Sequence, residues 1–186
     1  MKVKKIKKVI CLLCASVLFL SQTTINAATY SVSVTKYAQE KSNWCWVACA
    51  KMCGNYYGYS YTQSNICNYV KGNTHNDTCS LTEQTQALTY TTHKNVLLSW
   101  ASPFDMHVYQ LQHRNLSVIA MVWTNGDSHV YVVSGAKEAS GPALDSLYLI
   151  DPISGVSNTY VSYSSLINGA TLASGRGTYT YSWLIN

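Results

Sequence analysis

The apolar pattern of this chain changes period once, near Asn115, and that change limits the fold to one class. Before it, apolar residues recur at helical spacing. After it, they alternate or come in short runs between turn residues. The first part predicts a helix over 44–57, ending near Gly58, with Ser42 or Asn43 as its N-cap. A second helix is expected over 62–70, stopping at Gly72, and a third opens at the capping box Ser80-Leu-Thr-Glu83 and runs to about Thr91. Pro103 starts a fourth, over 104–113, as a first-turn proline. Beyond Asn115, the segments 117–123, 129–134, 147–150, 157–163 and 178–184 read as antiparallel strands. Asn125-Gly126 makes a tight turn between the first two, and Gly141-Pro142 and 174–177 read as loops. The expected architecture is α+β, a helical N-terminal half packed on a C-terminal antiparallel sheet.

Residues 1–27 stand apart from this domain. Five lysines lie within residues 1–8, a twelve-residue apolar stretch broken only by Ser16 fills 9–20, and small residues follow a polar stretch at Ala27 and Ala28. That order is the order of a secretory signal peptide. The apolar run is shorter than the roughly 20 residues a bilayer span requires. The expected organisation is a signal peptide over 1–27 and one monomeric, secreted domain over 28–186, with no stable membrane association. Removing the leader leaves eight basic and eight acidic residues, so the whole-chain charge of +5 belongs to the export signal. No basic patch remains to bind nucleic acid.

Processing also changes the cysteine count. Cys11 and Cys14 leave with the leader, and Cys45, Cys49, Cys53, Cys67 and Cys79 remain. An odd number in an exported protein leaves one thiol free. Setting Cys45 apart leaves four, enough for two disulfides, with Cys49 and Cys53 each paired to Cys67 or Cys79 rather than to each other. A zinc site built from these four with His75 is the alternative.

Cys45 is the free thiol that the local pattern selects. It lies between Trp44 and Trp46 at the head of the first helix, where unpaired N–H groups and the positive dipole end favour a thiolate. Cys49 and Cys53 lie too deep in the helix to share that field. Six residues earlier, Gln39 offers a neutral amide. Attack on a carbonyl creates an oxyanion that needs two preplaced donors, which the Cys45 backbone N–H and the Gln39 side chain can supply.

Gln39-x5-Cys45-Trp46 resembles the nucleophile segment of papain-like cysteine peptidases. The fuller Trp44-Cys-Trp-x-Ala48-Cys49 resembles small bacterial secreted members, such as effector-type peptidases exported by plant pathogens. The later Asp151-Pro-x-Ser-Gly155 resembles peptidase domains that clip double-glycine leaders. The resemblance implies a papain-like fold, with the cysteine on the helical half and the base on the sheet. It implies His129 as base, at the head of the alternating strand His129-Val-Tyr-Val-Val133, and Asp151 as the residue orienting it. Asn125, Asp127 and Asp145 are the fallback partners. One departure is the spacing: His129 follows Cys45 by 84 residues, against roughly 130–150 in papain-type enzymes. The expected function is peptide-bond hydrolysis on a peptide or protein substrate, with no metal or organic cofactor. The same groups also suit acyl transfer or amide hydrolysis on other substrates, and a non-catalytic, disulfide-bonded binding module would carry the same fold.

Overall fold

A computed structural model describes residues 27–139, 141 and 144–186. All of the expected signal peptide but Ala27 lies outside the described residues, as does Pro142. In chain order the elements are β1 (Thr29–Ser31), α1 (Cys45–Tyr56), α2 (Gln63–Lys71), α3 (Leu81–Thr92), β2 (Val96–Trp100), α4 (Phe104–Gln112), β3 (Ser117–Trp123), β4 (Ser128–Lys137), β5 (Ser146–Ile150), β6 (Thr159–Ser162), α5 (Tyr163–Asn168), β7 (Ala170–Leu172) and β8 (Gly175–Ile185). The strands form one antiparallel sheet in the order β2-β8-β3-β4-β5-β6, with β1 beside the end of β4 and β7 beside the start of β8. The class is α+β. Among the described residues, no helix is long and apolar enough to cross a membrane.

The sheet carries a core on each face. On one side, Trp46, Ala50 and Met52 of α1 and Leu88 of α3 pack on Val118, Val130, Val132 and Trp183. On the other, Phe104, Val108 and Leu111 of α4 and Leu166 of α5 pack on Ile119, Met121, Tyr131 and Val133. Successive residues of β4 therefore alternate between two apolar layers rather than between core and water, and His129 through Ala136 are all buried. Helix α1 is buried in the same way: eight of its twelve residues are inaccessible, as expected of a helix enclosed on all sides.

Local signals account for most boundaries. Thr62 caps α2 through Asn65 N–H, and Gly72 ends it at φ 71°. Ser80 and Glu83 close the capping box of α3, and Glu83 also takes an ion pair from Lys71 at 2.7 Å, joining the two helices. The first helix differs from expectation. Trp44 is its N-cap and no side chain caps it, because Ser42 and Asn43 are both engaged by Asn76. Pro103 is the N-cap of α4 rather than a first-turn residue.

Other segments also depart from the sequence reading. The predicted strand over 157–163 ends at Ser162, whose hydroxyl caps the short helix α5. Strands β1 and β7 are too short, at three residues each, to stand out in sequence, and β2, a largely apolar run over Val96–Trp100, lies outside the expected strands. Gly175 to Gly177 are strand, not loop: a Cβ on Gly177 would sit 2.2 Å from the Val122 carbonyl oxygen, so glycine marks close strand approach there.

No disulfide is present among the described residues. All five cysteines among the described residues are free thiols. Cys49, Cys53 and Cys67 fill core space between α1, α2 and the sheet. Burial pushes the Cys49, Cys53 and Cys79 thiols well above their ordinary range, so they behave as small apolar groups. Nor do three or more His, Cys, Asp or Glu side chains among the described residues gather as a metal-ligand group, so the zinc alternative around His75 is not assembled.

Gly54 sits where α1 crosses α3. A Cβ there would lie 2.9 Å from Thr91 O and 3.0 Å from Thr91 Cβ. In an open helix Gly→Ala stabilises by about 1 kcal/mol. Here the sign reverses, and Gly54→Ala is expected to lower unfolding free energy by about 1–3 kcal/mol, the cost of overpacking. The urea midpoint measures this.

Candidate active site

Cys45 is the first residue of α1 and is partly exposed at the mouth of a cleft of about 340 Å³. The first N–H groups of a helix have no intrahelical acceptor, and with no side-chain cap they are left toward the cleft. The flanking tryptophans hold this end of the helix still. Both rings are in the core, and the Trp44 and Trp46 indoles donate to the carbonyls of His75 at 2.8 Å and Asp77 at 3.1 Å. The segment before Cys45 is thereby tied to the loop between α2 and α3.

His129 faces Cys45 from the start of β4. Its Nε2–H donates to Asp151 Oδ1 at 3.0 Å, so Nδ1 is the nitrogen left for the Cys45 sulfur. Asp151 follows β5 directly, and the β4–β5 pairing sets it beside His129. The same Oδ1 accepts the Ile153 N–H at 2.9 Å. Both side chains are almost wholly buried, His129 at 4% exposure and Asp151 at 6%. Burial works against the charged imidazole, but the Asp151 hydrogen bond and the adjacent Cys45 sulfur outweigh it and raise His129 from 6.5 to about 9. Burial likewise works against the Asp151 carboxylate, and the His129 and Ile153 hydrogen bonds hold it below its ordinary value.

Gln39 lines the same cleft, and its backbone N–H donates to Pro152 O at 2.8 Å, joining the segment before Cys45 to the turn after Asp151. Its side-chain amide does not point free into the cleft. Nε2 donates to Lys41 O at 3.0 Å and Ser42 O at 2.7 Å, and Oε1 is buried without a partner. Thus Gln39 and Cys45, six residues apart, are brought together with the distant His129 and Asp151. The fallback residues do not reach His129: Asp127 accepts from Asn125 at 2.8 Å, and Asp145 from Ala139 N–H at 2.9 Å. The other histidines have local roles. His107 is fully buried between Ser117 Oγ and Tyr179 Oη, and burial pulls it down to about 4. His93 ends α3 in the left-handed conformation against Tyr61, and His75 and His113 are exposed.

Two aromatic neighbours of His129, and a serine bonded to one of them, escape a sequence reading. The Trp123 ring stacks on the imidazole at 5.5 Å between centroids, and Tyr131 meets it edge-on at 4.8 Å. Ser174, on the β7–β8 turn, shares a 2.6 Å hydrogen bond with Tyr131. Gly175 lets this turn lie under Trp123, since a Cβ would come within 2.6 Å of the indole. The one available signal was period two: Tyr131 is two residues from His129 and so shares its face of β4.

A thiol at an uncapped helix start, against an imidazole held by a carboxylate, can carry nucleophilic attack and proton transfer. Comparisons with known proteins agree with that chemistry. The family model described as papain-like cysteine protease AvrRpt2 matches residues 26–168. No curated protein sequence matches the chain. Among solved structures, a C39-like peptidase from Bacillus anthracis is similar at TM-score 0.56 and 12% identity, over 86% of this chain and 98% of that one. The peptidase domain of Streptococcus ComA, a bi-functional ABC transporter, gives TM-score 0.55 at 14% identity, over 84% and 99%. A double-glycine-motif protease from an AMS/PCAT transporter, solved with its leader peptide, gives 0.54 at 12%, over 84% and 95%. At such identities the structural likeness is one of fold.

The titration of His129 tests the electrostatics without any substrate. Its folded pKa lies above the unfolded 6.5, so the stability it contributes is full below 6.5 and fades as pH rises through about 9. The size is of order 3 kcal/mol at about 1.4 kcal/mol per pH unit. Imidazole resonances followed by NMR should place His129 near 9, and Asp151→Asn should bring its midpoint down and flatten the alkaline fall in stability. A wild-type midpoint near 6.5 would contradict this account.

Proposed function

The chain belongs to the papain-like cysteine protease family, and from that premise we propose that it hydrolyses peptide bonds through Cys45, His129 and Asp151, with Gln39 as an oxyanion donor. The observation that carries the reading is the buried His129, bonded through Nε2 to Asp151 and presenting its other side to the thiol at an uncapped helix start.

The Cys45 thiolate attacks the substrate carbonyl carbon, and the carbonyl π electrons move to oxygen. The oxyanion is held by the Cys45 backbone N–H and by Gln39 Nε2–H. As the C–N bond breaks, His129 Nδ1–H protonates the departing amine. Water then attacks the thioester while His129 takes its proton, and the sulfur leaves as thiolate with the new carboxylic acid released. Asp151 keeps the imidazole oriented and stabilises its charged form throughout.

Gln39 must change partners for this role. Without substrate its two N–H groups are held by the Lys41 and Ser42 carbonyls. A charged acceptor binds a donor roughly twice as strongly as a neutral one, so a developing oxyanion competes well for one of these protons. That exchange makes the contact specific to the transition state.

The export reading completes the proposal. Residues 1–27 direct secretion, and the mature protein begins at Ala28 or Thr29; Edman sequencing of protein collected from the culture medium checks this. Its recovery with residues 1–27 attached would contradict it.

Substitutions test the chemistry. Cys45→Ala should abolish peptide cleavage, and iodoacetamide should label Cys45 while sparing the buried Cys49, Cys53 and Cys67. Gln39→Ala should lower kcat by about 10²-fold with KM little changed, the usual effect of removing one oxyanion donor. Product analysis with an added primary amine should still give the free carboxylate. Full cleavage by Cys45→Ala would overturn the reading, and an amide product would assign acyl transfer instead.

A further inference from the structure

The cleft that holds Cys45 and His129 has two walls. Gln39, Asn43 and Thr78 belong to the helical side, and Trp123 and Asp127 to the sheet side. Cys45 and His129 share one exchangeable proton, so together they are neutral whichever of them holds it. Among the other described residues that line the cleft, Asp127 is the one with a charged side chain.

Asp127 ends the β3–β4 turn, two residues before His129. The turn fixes its place. Asp127 O accepts the Trp123 N–H at 2.7 Å, and Asp127 N–H donates to Asn125 Oδ1 at 3.1 Å. The Asn125 Nδ2–H donates in return to Asp127 Oδ2 at 2.8 Å. Asp127 is exposed, and a carboxylate offers about four lone-pair sites, so this brace leaves most of its accepting capacity open to the cleft. Asp127 has no ion-pair partner among the described residues. Arg176 lies across the same turn, its carbonyl accepting the Thr124 N–H at 3.1 Å, but it does not line the cleft. Lys41, beyond the helical wall, donates to Thr74 O and lies 4.4 Å from the Trp44 ring centroid.

We propose that Asp127 is a specificity-determining residue, selecting substrates that carry a Lys or Arg side chain close to the scissile bond. The selectivity rests on the peptidase reading above and names the substrate class for the same cleft. Two residues of chain place the Asp127 and His129 Cα atoms at most about 7 Å apart, and extended substrate advances about 3.4 Å per residue. The selected cation therefore lies within about two residues of the bond whose amine His129 meets. The Trp123 indole on the same wall offers apolar surface along which a Lys or Arg stem can lie, with its charged head at Asp127. A substrate carboxylate at that place is repelled. An exposed pair of this kind favours binding by about three- to fivefold, and salt weakens it.

One synthetic peptide library of mixed sequence tests this. Wild type, Asp127→Asn and Asp127→Lys digest it, with Cys45→Ala as control and urea unfolding to check the fold. Mass spectrometry of the products gives, at each position around the cut, the ratio of Lys and Arg to Gln and of Glu to Gln. Wild type should favour Lys and Arg over Gln by about three- to fivefold at one of these positions, and Gln over Glu. Salt raised from about 0.05 M to about 0.5 M should shrink that preference. Asp127→Asn, which keeps the shape and can still accept from Asn125, should bring the ratios to about one, and Asp127→Lys should reverse them. A merely structural role would slow all peptides together and leave the ratios as in wild type, which refutes the proposal. Wild-type ratios near one at every position also refute it, while the triad stands. If Cys45→Ala cleaves the library as wild type does, the peptidase reading falls and the selectivity with it.

Discussion

The contact between α1 and the start of β4 sets the relation on which the rest of the cleft depends. Cys49 Sγ lies 3.5 Å from Val130 O, one helical turn below Cys45 and one residue after His129. The helix and the strand are thus locked together next to the two residues that face each other across the cleft. Ala50, Met52, Val130 and Val132 continue the same packed seam below. The Cys49 sulfur fills a space in that seam.

Burial and charge oppose each other at His129. A wholly buried imidazole ordinarily loses its proton easily, as His107 does between two hydroxyls. His129 is almost equally buried and behaves in the opposite way, because its partners are a carboxylate and a thiol sulfur rather than neutral hydroxyls. Two histidines of similar exposure on one fold therefore differ through the hydrogen bonds and charge of their neighbours. Such opposed shifts separate a structural histidine from one suited to proton transfer.

Much of this organisation was legible in the residues. Period and capping predicted the four helices and the main strands, since Thr62, Gly72 and the Ser80–Glu83 box act locally. The segment from Gln39 to Cys49 pointed to the cleft because its chemistry is also local, a thiol at a helix start with an amide just before it. Other features were hidden because long-range contacts override local preference. Ser42 and Asn43 look like caps but are engaged by Asn76, and the Gly-Arg-Gly run looks like a loop but is strand under close approach to Val122. The cysteine count suggested disulfides, yet burial among α1, α2 and the sheet turns those thiols into core packing.

The sequence by itself determined the class of fold and the place of Cys45 at a helix start, because period and side-chain chemistry are properties of short stretches; His129 and Asp151 entered as candidates through the family resemblance. Only the tertiary structure decided which nitrogen of His129 meets Asp151, where the Gln39 amide rests, and that Trp123 and Tyr131 lie against the imidazole. Those relations depend on strand register and on turns that meet across the sheet. A slip of one residue in β4 would move His129 and Tyr131 to the other face of the sheet.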